Sequence, residues 1–546
     1  MTSALKTSPA QTRGDRVEPL IIGNDQTHFI TPGAQPGPAR FDSKAYLSQA
    51  PLSVIDAASL ELIQVFLLHQ AIDHTQSATG SAVVFRSLIQ PSTDLAHIQA
   101  KQASLREINA NDRLRQALAD YLHEFSNGES ALYKFFNKGL YALFPYPDLK
   151  KARRAAANIT RMLPTIPEAE SLYLNSLISG LKRYRGSPVD QMMGGAVYKS
   201  LGGLKSDQEV GVFTPKLKFT PRRLTRWLIV GPAVMAAPYL RDMVGWGLAL
   251  SPLLPTVGMV LTGACAFYAM AIKPVRDTGN FIEPLRARSV HDQCFGRAVD
   301  TIGMIDELLS CHAYAENCPH PTTLPNVSDG AHHFFEATGL KNPVLAEADR
   351  DFISSQVCLN GARLTFITGP NSGGKTTICK SIIHNQLMAQ TGGYMLAEKA
   401  AVNIADMISY QAPKFDGLQD SEGRFGTELS RTRDIFYATG PKSLVILDEL
   451  AEGTTYEEQL HHSFEILSDF YAIGNNTVLV THNQSLVEDL RAAQKGQCLM
   501  VEFDGDDPTY RVAPGISRVS HAERVARKLN FSREDRRRYM QAKGYL

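Results

Sequence analysis

The sequence predicts a multidomain α plus α/β protein, a helical part followed by a parallel α/β part, and three observations predict it. From about Leu52 to Tyr198 apolar residues recur at helical spacing, as in Leu60, Ile63, Val65, Phe66 and Leu67 and again in Leu114, Leu118 and Leu122. From Ala362 onward the pattern becomes strand, glycine-rich loop and helix, then apolar runs of strand length at Ser443 to Leu447 and Asn476 to Val480. That alternation builds a parallel sheet covered by helices. The chain has 546 residues, which at roughly 100 to 200 residues per domain holds about three domains.

A composition of 44% hydrophobic and 20% charged residues excludes a disordered chain or a disulfide miniprotein. Lys+Arg 56 against Asp+Glu 55 gives a formal charge of +1, so no global field draws the protein onto nucleic acid and any DNA contact must come from a local patch. Seven cysteines, scattered from Cys265 to Cys498 without a secretory signal, read as reduced thiols of a cytoplasmic protein. Residues 1–50, rich at first in Thr, Ser, Pro, Gly and Gln with no apolar run before Arg13, read as a disordered tail.

Helical spacing then defines a helical core over residues 51–210. Phe144-Pro145-Tyr146-Pro147 breaks it, and a basic helix follows with Lys150, Lys151, Arg153, Arg154 and Arg161, read as a solvated face ahead of a phosphate-binding strip. Residues 220–275 differ in character. Only Arg241 and Asp242 are charged between Trp227 and Ile272, and Met243 to Ile272 is uncharged for 30 residues, beyond the roughly 20 that cross a bilayer. Basic flanks (Arg222, Arg223 and Arg226 before, Lys273 and Arg276 after) suit a transmembrane hairpin with both ends in the cytoplasm and a turn at Ser251 to Pro255. Arg241, Asp242, Pro232 and Pro238 favour the competing reading, a hairpin buried or covered by a partner. Residues 276–330 read as a returning helix and a linker; Cys311, His312, Cys318 and His320 there fit no zinc spacing and read as free thiols and surface histidines.

The chemistry concentrates in the second half. Gly369-Pro370-Asn371-Ser372-Gly373-Gly374-Lys375-Thr376 satisfies G-x-x-x-x-G-K-[ST] between the strand Leu364 to Thr368 and a helix from about Thr376. Glycines let backbone N–H groups wrap phosphates, and the helix N-terminus adds a positive dipole end. Lys375 is expected to reach the β- and γ-phosphates of ATP and Thr376 to ligate Mg²⁺. Leu444-Val445-Ile446-Leu447 reads as a buried parallel strand delivering Asp448 and Glu449 at its C-terminal end, where α/β sites lie. Asp448 is expected to hold Mg²⁺ through water, and Glu449 to accept the proton of the water attacking the γ-phosphate. A third strand, Thr477 to Val480, leads into Thr481-His482, which places His482 as a γ-phosphate sensor.

These residues also resemble a family. TGPNSGGKTT (Thr368 to Thr377), VILDELAEGTTYEE (Val445 to Glu458) and VLVTHNQSL (Val478 to Leu486) are similar to the ATPase domain of the MutS family, an ABC-type P-loop ATPase. Asp73 to Ile108, with Gly80, Pro91, Ile98 and Gln102, resembles the family's helical core. Asp351 to Asn371 resembles the start of its ATPase, and Tyr510 to Leu529 its C-terminal segment. The resemblance covers about Ile55 to Leu201 and Phe334 to Phe531. It implies a helical core and lever followed by the ATPase over residues 331–531, with a charged tail after it. It further implies a homodimer with two composite ATP sites, Asn371 beside the γ-phosphate, Thr377 in the cradle and Phe352 near the adenine.

Departures from the family bear on function. Mismatch-reading members carry a reading domain and a connector before the helical core, which here begins near residue 55, so mismatch reading of the usual kind is not expected. The family's DNA clamp interrupts its lever helices about where this chain carries Trp227 to Ile272. In Glu422 to Leu429, Gly423 stands where a serine usually faces the partner's γ-phosphate, so either Ser421 substitutes, Arg424 acts as a cationic finger, or coupling between the sites is weaker. The tail Arg533 to Arg538 reads as a charged helix face ahead of a nucleic-acid contact. Two functions follow: a DNA-binding, repair-family ATPase, or a membrane-anchored mechanochemical ATPase acting on a membrane or protein partner. The expected location is cytoplasmic, anchored in the inner or plasma membrane, with a soluble cytoplasmic ATPase as the alternative.

Overall fold

A computed structural model describes residues 30–31, 39–48, 52, 54–136, 145–211, 215–219, 236, 254–370, 374–413, 423–450, 455–504, 507–517, 526–527 and 529–545. Helices occupy most of the chain up to Asn317: α1 (Ala57–Leu62), α2 (Val65–Ile72), α3 (Ala78–Ile89), α4 (Leu95–Ala110), α5 (Asp112–Phe136), α6 (Pro145–Arg161), α7 (Leu172–Tyr184), α8 (Leu254–Phe267) and α9 (Gln293–Asn317). Asp56, Ser77, Asp94 and Asp292 start four of them by accepting backbone N–H groups that the first turn leaves orphaned. Within the stretch read as a tail, Ile30–Thr31 pairs antiparallel with Arg40–Phe41 and Ile30 is buried.

Helix α9 packs on α3 and α7, and buried charge ties the group together. Arg86 of α3 pairs with Asp300 at 2.9 Å and Lys101 of α4 with Glu307 at 2.7 Å. Two buried carboxylates hold the N-terminus of α3: Glu129 accepts from the N–H of Ala78 (2.9 Å) and Thr79 (2.7 Å), and Asp306 from Gln76 (3.0 Å) and Ser77 (2.9 Å). Negative charge there complements the helix dipole. Burial nevertheless pushes Glu129 up to about 7 and Asp306 to about 6. Gly80 is required at this junction, because a Cβ would collide with the Asp306 carboxylate.

The membrane hairpin expected at 227–272 is corrected, and with it the membrane-anchored location. Among the described residues no helix is long and apolar enough to cross a membrane. Helix α8, of 14 residues, opens a helical run that continues unbroken, with wider-wound turns, to His291. A wider-wound turn follows, and the chain then enters protein, with Lys273 and Asp277 buried and paired and Phe281 and Ile282 in the core. The first half of the expected hairpin, 227–253, lies outside the described residues apart from Ala236, which is helical. Hydropathy counts apolar residues and is blind to the protein that the same helix packs against further along.

The second half holds two sheets. Strands β1 (Asn326–Ser328), β2 (Phe335–Leu340), β3 (Ser355–Leu359), β4 (Leu364–Thr368), β5 (Lys399–Asn403), β6 (Ile408–Gln411), β7 (Leu444–Asp448), β8 (Asn476–Val480), β9 (Gln497–Asp504) and β10 (Asp507–Pro514) are arranged as β1-β5-β2-β3 and β6-β7-β8-β4-β9-β10. In the larger sheet every pair from β6 to β9 is parallel, and only β10 returns antiparallel. All five residues of β4 and of β8 are buried, as expected for strands covered on both faces. Alternate residues serve different cores. Ile446, Val478 and Val480 join the large core that also holds Leu60, Ile63 and Leu88 of the helical part, whereas Val445, Leu447 and Leu479 join a second core with Leu467, Phe470 and Leu490. Helices α10 (Lys375–Gln390), α11 (Gly423–Ala438), α12 (Tyr456–Ile473), α13 (Gln484–Ala492) and α14 (Arg533–Ala542) complete this half.

Candidate nucleotide site

The C-terminal edge of the larger sheet gathers the titratable residues. Strand β4 ends at Thr368, and the chain turns through Gly369 at φ 141 and Gly374 at φ 85 into α10. Both angles lie where side chains are disfavoured, which is why glycines occupy the two ends of the loop. Asn371, Ser372 and Gly373 lie outside the described residues, while Gly369 and Pro370 lead into them from β4. Lys375 opens α10, is 4% exposed, and donates from Nζ to the Gly369 carbonyl at 2.7 Å. Burial holds its ammonium down at about 8, against the pull of Asp448 in the other direction. A group that loses water without gaining a full counter-charge is poised for an anion.

Thr376 donates its hydroxyl to Asp448 Oδ2 at 3.0 Å, so the two residues expected to hold Mg²⁺ already touch. Asp448 is the last residue of β7 and Glu449 follows at φ 68, a left-handed conformation that costs energy for a residue with a side chain. Its N–H donates to Val480 O at 2.9 Å, and Glu449 Oε1 lies 3.4 Å from His482 Nε2. The same Nε2 is 3.3 Å from Lys375 Nζ. Burial, then the Lys375 charge, lowers the His482 pKa, so the ring is neutral at pH 7 and its Nε2 either accepts from Lys375 or donates to Glu449. The contact with Glu449 is therefore a hydrogen-bond geometry rather than a charged pair at that pH.

Beside this edge lies a cavity of ≈ 580 Å³ lined by Phe352, Gly374, Lys375, Thr376, Thr377 and Tyr510, among others, within the size range of small-molecule sites. Phe352, drawn from a different segment, thus shares a cavity with the phosphate-loop residues. Tyr510 was not singled out by sequence. Its φ of 58 marks it, and its ring would lie 3.3 Å from a Cβ at position 374. Tyr410 was missed as well: it is 1% exposed and donates to Asp448 Oδ2 at 3.2 Å. Burial drives its phenol far above the usual tyrosine value, so it stays a neutral donor.

Other expected positions are dispersed. Ser421 and Glu422 lie outside the described residues, as does the side chain of Arg424; Gly423 begins α11. In the basic helix α6, Arg153 Nε donates to Met193 O at 2.7 Å, while Lys150, Lys151 and Arg154 are exposed. His320 Nε2 lies 2.9 Å from the Asp349 carbonyl.

Two glycines at positive φ between a buried parallel strand and a helix, with a lysine opening that helix and a threonine touching the carboxylate of the neighbouring strand, mark an α/β domain with an anion-suited strand-to-helix junction. Residues 365–534 match the family description MutS domain V. The chain is 28% identical over 264 residues to DNA mismatch repair protein MSH3 of Coccidioides immitis, a match covering 46% of this chain and 23% of that protein. It is 31% identical over 199 residues to MutS protein homolog 4 of Mus musculus (35% of this chain, 20% of that one). Over 268 residues it is 26% identical to Endonuclease MutS2 of Thermus thermophilus (49% and 35%). The MutS-family likeness is thus shown through the domain at residues 365–534, and the chain's matches span between a fifth and about a third of these relatives' own length.

Proposed function

We propose that this protein binds and hydrolyses ATP with Mg²⁺ and acts on DNA as a dimer. The observation that carries the reading is the convergence of Lys375, Thr376, Asp448, Glu449 and His482 at one sheet edge beside the Phe352 cavity. The donor set suits Mg²⁺: one hydroxyl and one carboxylate, with the remaining positions left to water and phosphate oxygens. When bound, that ion would neutralise charge on the β- and γ-phosphates.

The chain's own residues supply the rest. Lys375 brings a partly desolvated positive charge to the phosphates. Thr376 and Asp448 orient the ion from two adjacent elements. Glu449, held by its backbone bond to Val480, takes the proton of the attacking water, and His482 next to it senses the terminal phosphate. Phe352 and Tyr510 offer aromatic surface for the base.

Action on DNA is supported by the relatives' names, MSH3 as a mismatch repair protein and MutS2 as an endonuclease. With a net charge of +1, contact must be local, and the exposed Lys150, Lys151 and Arg154 of α6 and the arginines of α14 are the candidate patches. The dimer places each ATP site against a partner's α11. The test pairs Glu449→Gln with Lys375→Ala: the first retains ATP and loses hydrolysis, the second loses ATP. Wild-type hydrolysis by Glu449→Gln refutes the assignment. DNA binding that is absent at low salt refutes the substrate.

A further inference from the structure

The metal-side carboxylate has a second hydroxyl on it. Asp448 Oδ2 accepts from Thr376 at 3.0 Å and from Tyr410 at 3.2 Å. The Thr376 hydroxyl would offer a bound ion a lone pair while its proton stays on Asp448. Tyr410 is the donor that would hold the carboxylate without also touching the ion.

Tyr410 is itself held by the helical half of the protein. Its backbone N–H donates to Ser59 Oγ at 2.9 Å. The Ser59 hydroxyl has one proton, and its nearer acceptor is Asp56 Oδ2 at 2.7 Å. Asp56 in turn accepts from Arg431 of α11, at 2.8 Å and 2.9 Å to its two oxygens. The surrounding backbone fixes this line: the Ile408 N–H donates to Val54 O at 2.7 Å, and Ile55 forms a parallel bridge with Ile408 at the edge of β6. The same segment reaches the phosphate-loop helix, where Ile63 O lies 2.8 Å from His384 Nε2 and Lys380 donates to Gln64 Oε1 at 3.1 Å. Residues 54–64 therefore strap together the strand that carries Tyr410 and the helix that carries Thr376.

We propose that Tyr410 is a positioning residue for the divalent-cation site, setting the orientation of Asp448, and that the strap residues Asp56 and Ser59 hold Tyr410 in register. Movement of the helical half or of α11 is thereby felt as a change in cation affinity. This rests on the reading of the site as one for Mg²⁺ and ATP.

The test measures binding of a fluorescent ATP analogue to the full chain, in EDTA and across a Mg²⁺ titration. Tyr410→Phe removes one oxygen at a fully packed position. The expected result is a Mg²⁺ midpoint raised roughly tenfold, the lower end of what losing a partner of a metal-holding carboxylate costs, with affinity in EDTA and the thermal midpoint unchanged. Ser59→Ala shifts the midpoint the same way by a smaller factor, and the double variant shifts it no further than Tyr410→Phe alone. If Tyr410→Phe does not fold, the Ser59→Ala titration decides. An unchanged Mg²⁺ midpoint overturns the proposal, as does an equal loss of affinity in EDTA, which a merely structural role would produce. Wild-type protein that binds no analogue under either condition overturns the nucleotide reading and this inference with it.

Discussion

Raising the pH should release nucleotide, and Lys375 sets where. Its ammonium ordinarily titrates at 10.5, and burial brings it to about 8 in the empty site. Phosphates favour the charged form, so above pH 8 binding requires a proton to be taken up. At pH 9 only about one site in eleven holds that proton, so affinity falls about tenfold between pH 7 and pH 9, about 1.4 kcal/mol, and about tenfold again by pH 10. A terminal phosphate loses its last proton near pH 6 and adds nothing across this range. Titration calorimetry in two buffers of different ionisation heat should read uptake of nearly one proton at pH 9 and almost none at pH 7. Lys375→Arg, charged throughout, should give a flat profile. In the empty protein the linkage runs the other way: the unfolded chain holds the proton more tightly, so this residue's contribution to stability rises from about pH 8 to pH 10.5. Affinity that is flat from pH 7 to pH 9 in the wild type, without proton uptake, would refute the reasoning.

Glu449→Gln should lower the hydrolysis rate at least about a hundredfold, the contribution of a general base, with ATP affinity within a few-fold of wild type by equilibrium binding. ATP added to Glu449→Gln should drive dimer formation, read by sedimentation; a monomer at all protein concentrations with and without ATP would count against composite sites. Lys101→Ala leaves Glu307, 3% exposed, without its 2.7 Å partner, and should destabilise the protein by about 3 to 5 kcal/mol in denaturant unfolding. Exposed Lys150→Ala, by contrast, should leave stability within about 0.5 kcal/mol, while weakening any DNA binding more at low salt than at high.

The junction from β4 to α10 was legible because its parts are neighbours in the chain: a strand, a pair of glycines and a helix N-terminus form one local unit, and the motif spells all three. Asp448, Glu449 and His482 were legible for a related reason, since parallel strands end on one edge and whatever follows each strand must meet there. Lys375, Thr376, Asp448, Glu449 and His482 do converge at that edge. The apolar run 243–272 misled, because hydropathy counts apolar residues and does not see the protein that the same helix packs against just beyond them, where Lys273 and Asp277 are buried and paired. Several features had no signal in the sequence. The left-handed Glu449 depends on the bond its N–H makes to Val480 on the next strand. Tyr410 meets Ser59 across 351 positions of chain, and no periodicity or spacing encodes a contact of that range. Local chemistry and alternation were thus determined by the sequence itself. Which helix caps on which buried carboxylate, and which tyrosine steadies Asp448, were decided only when the helical half closed against the edge of the sheet.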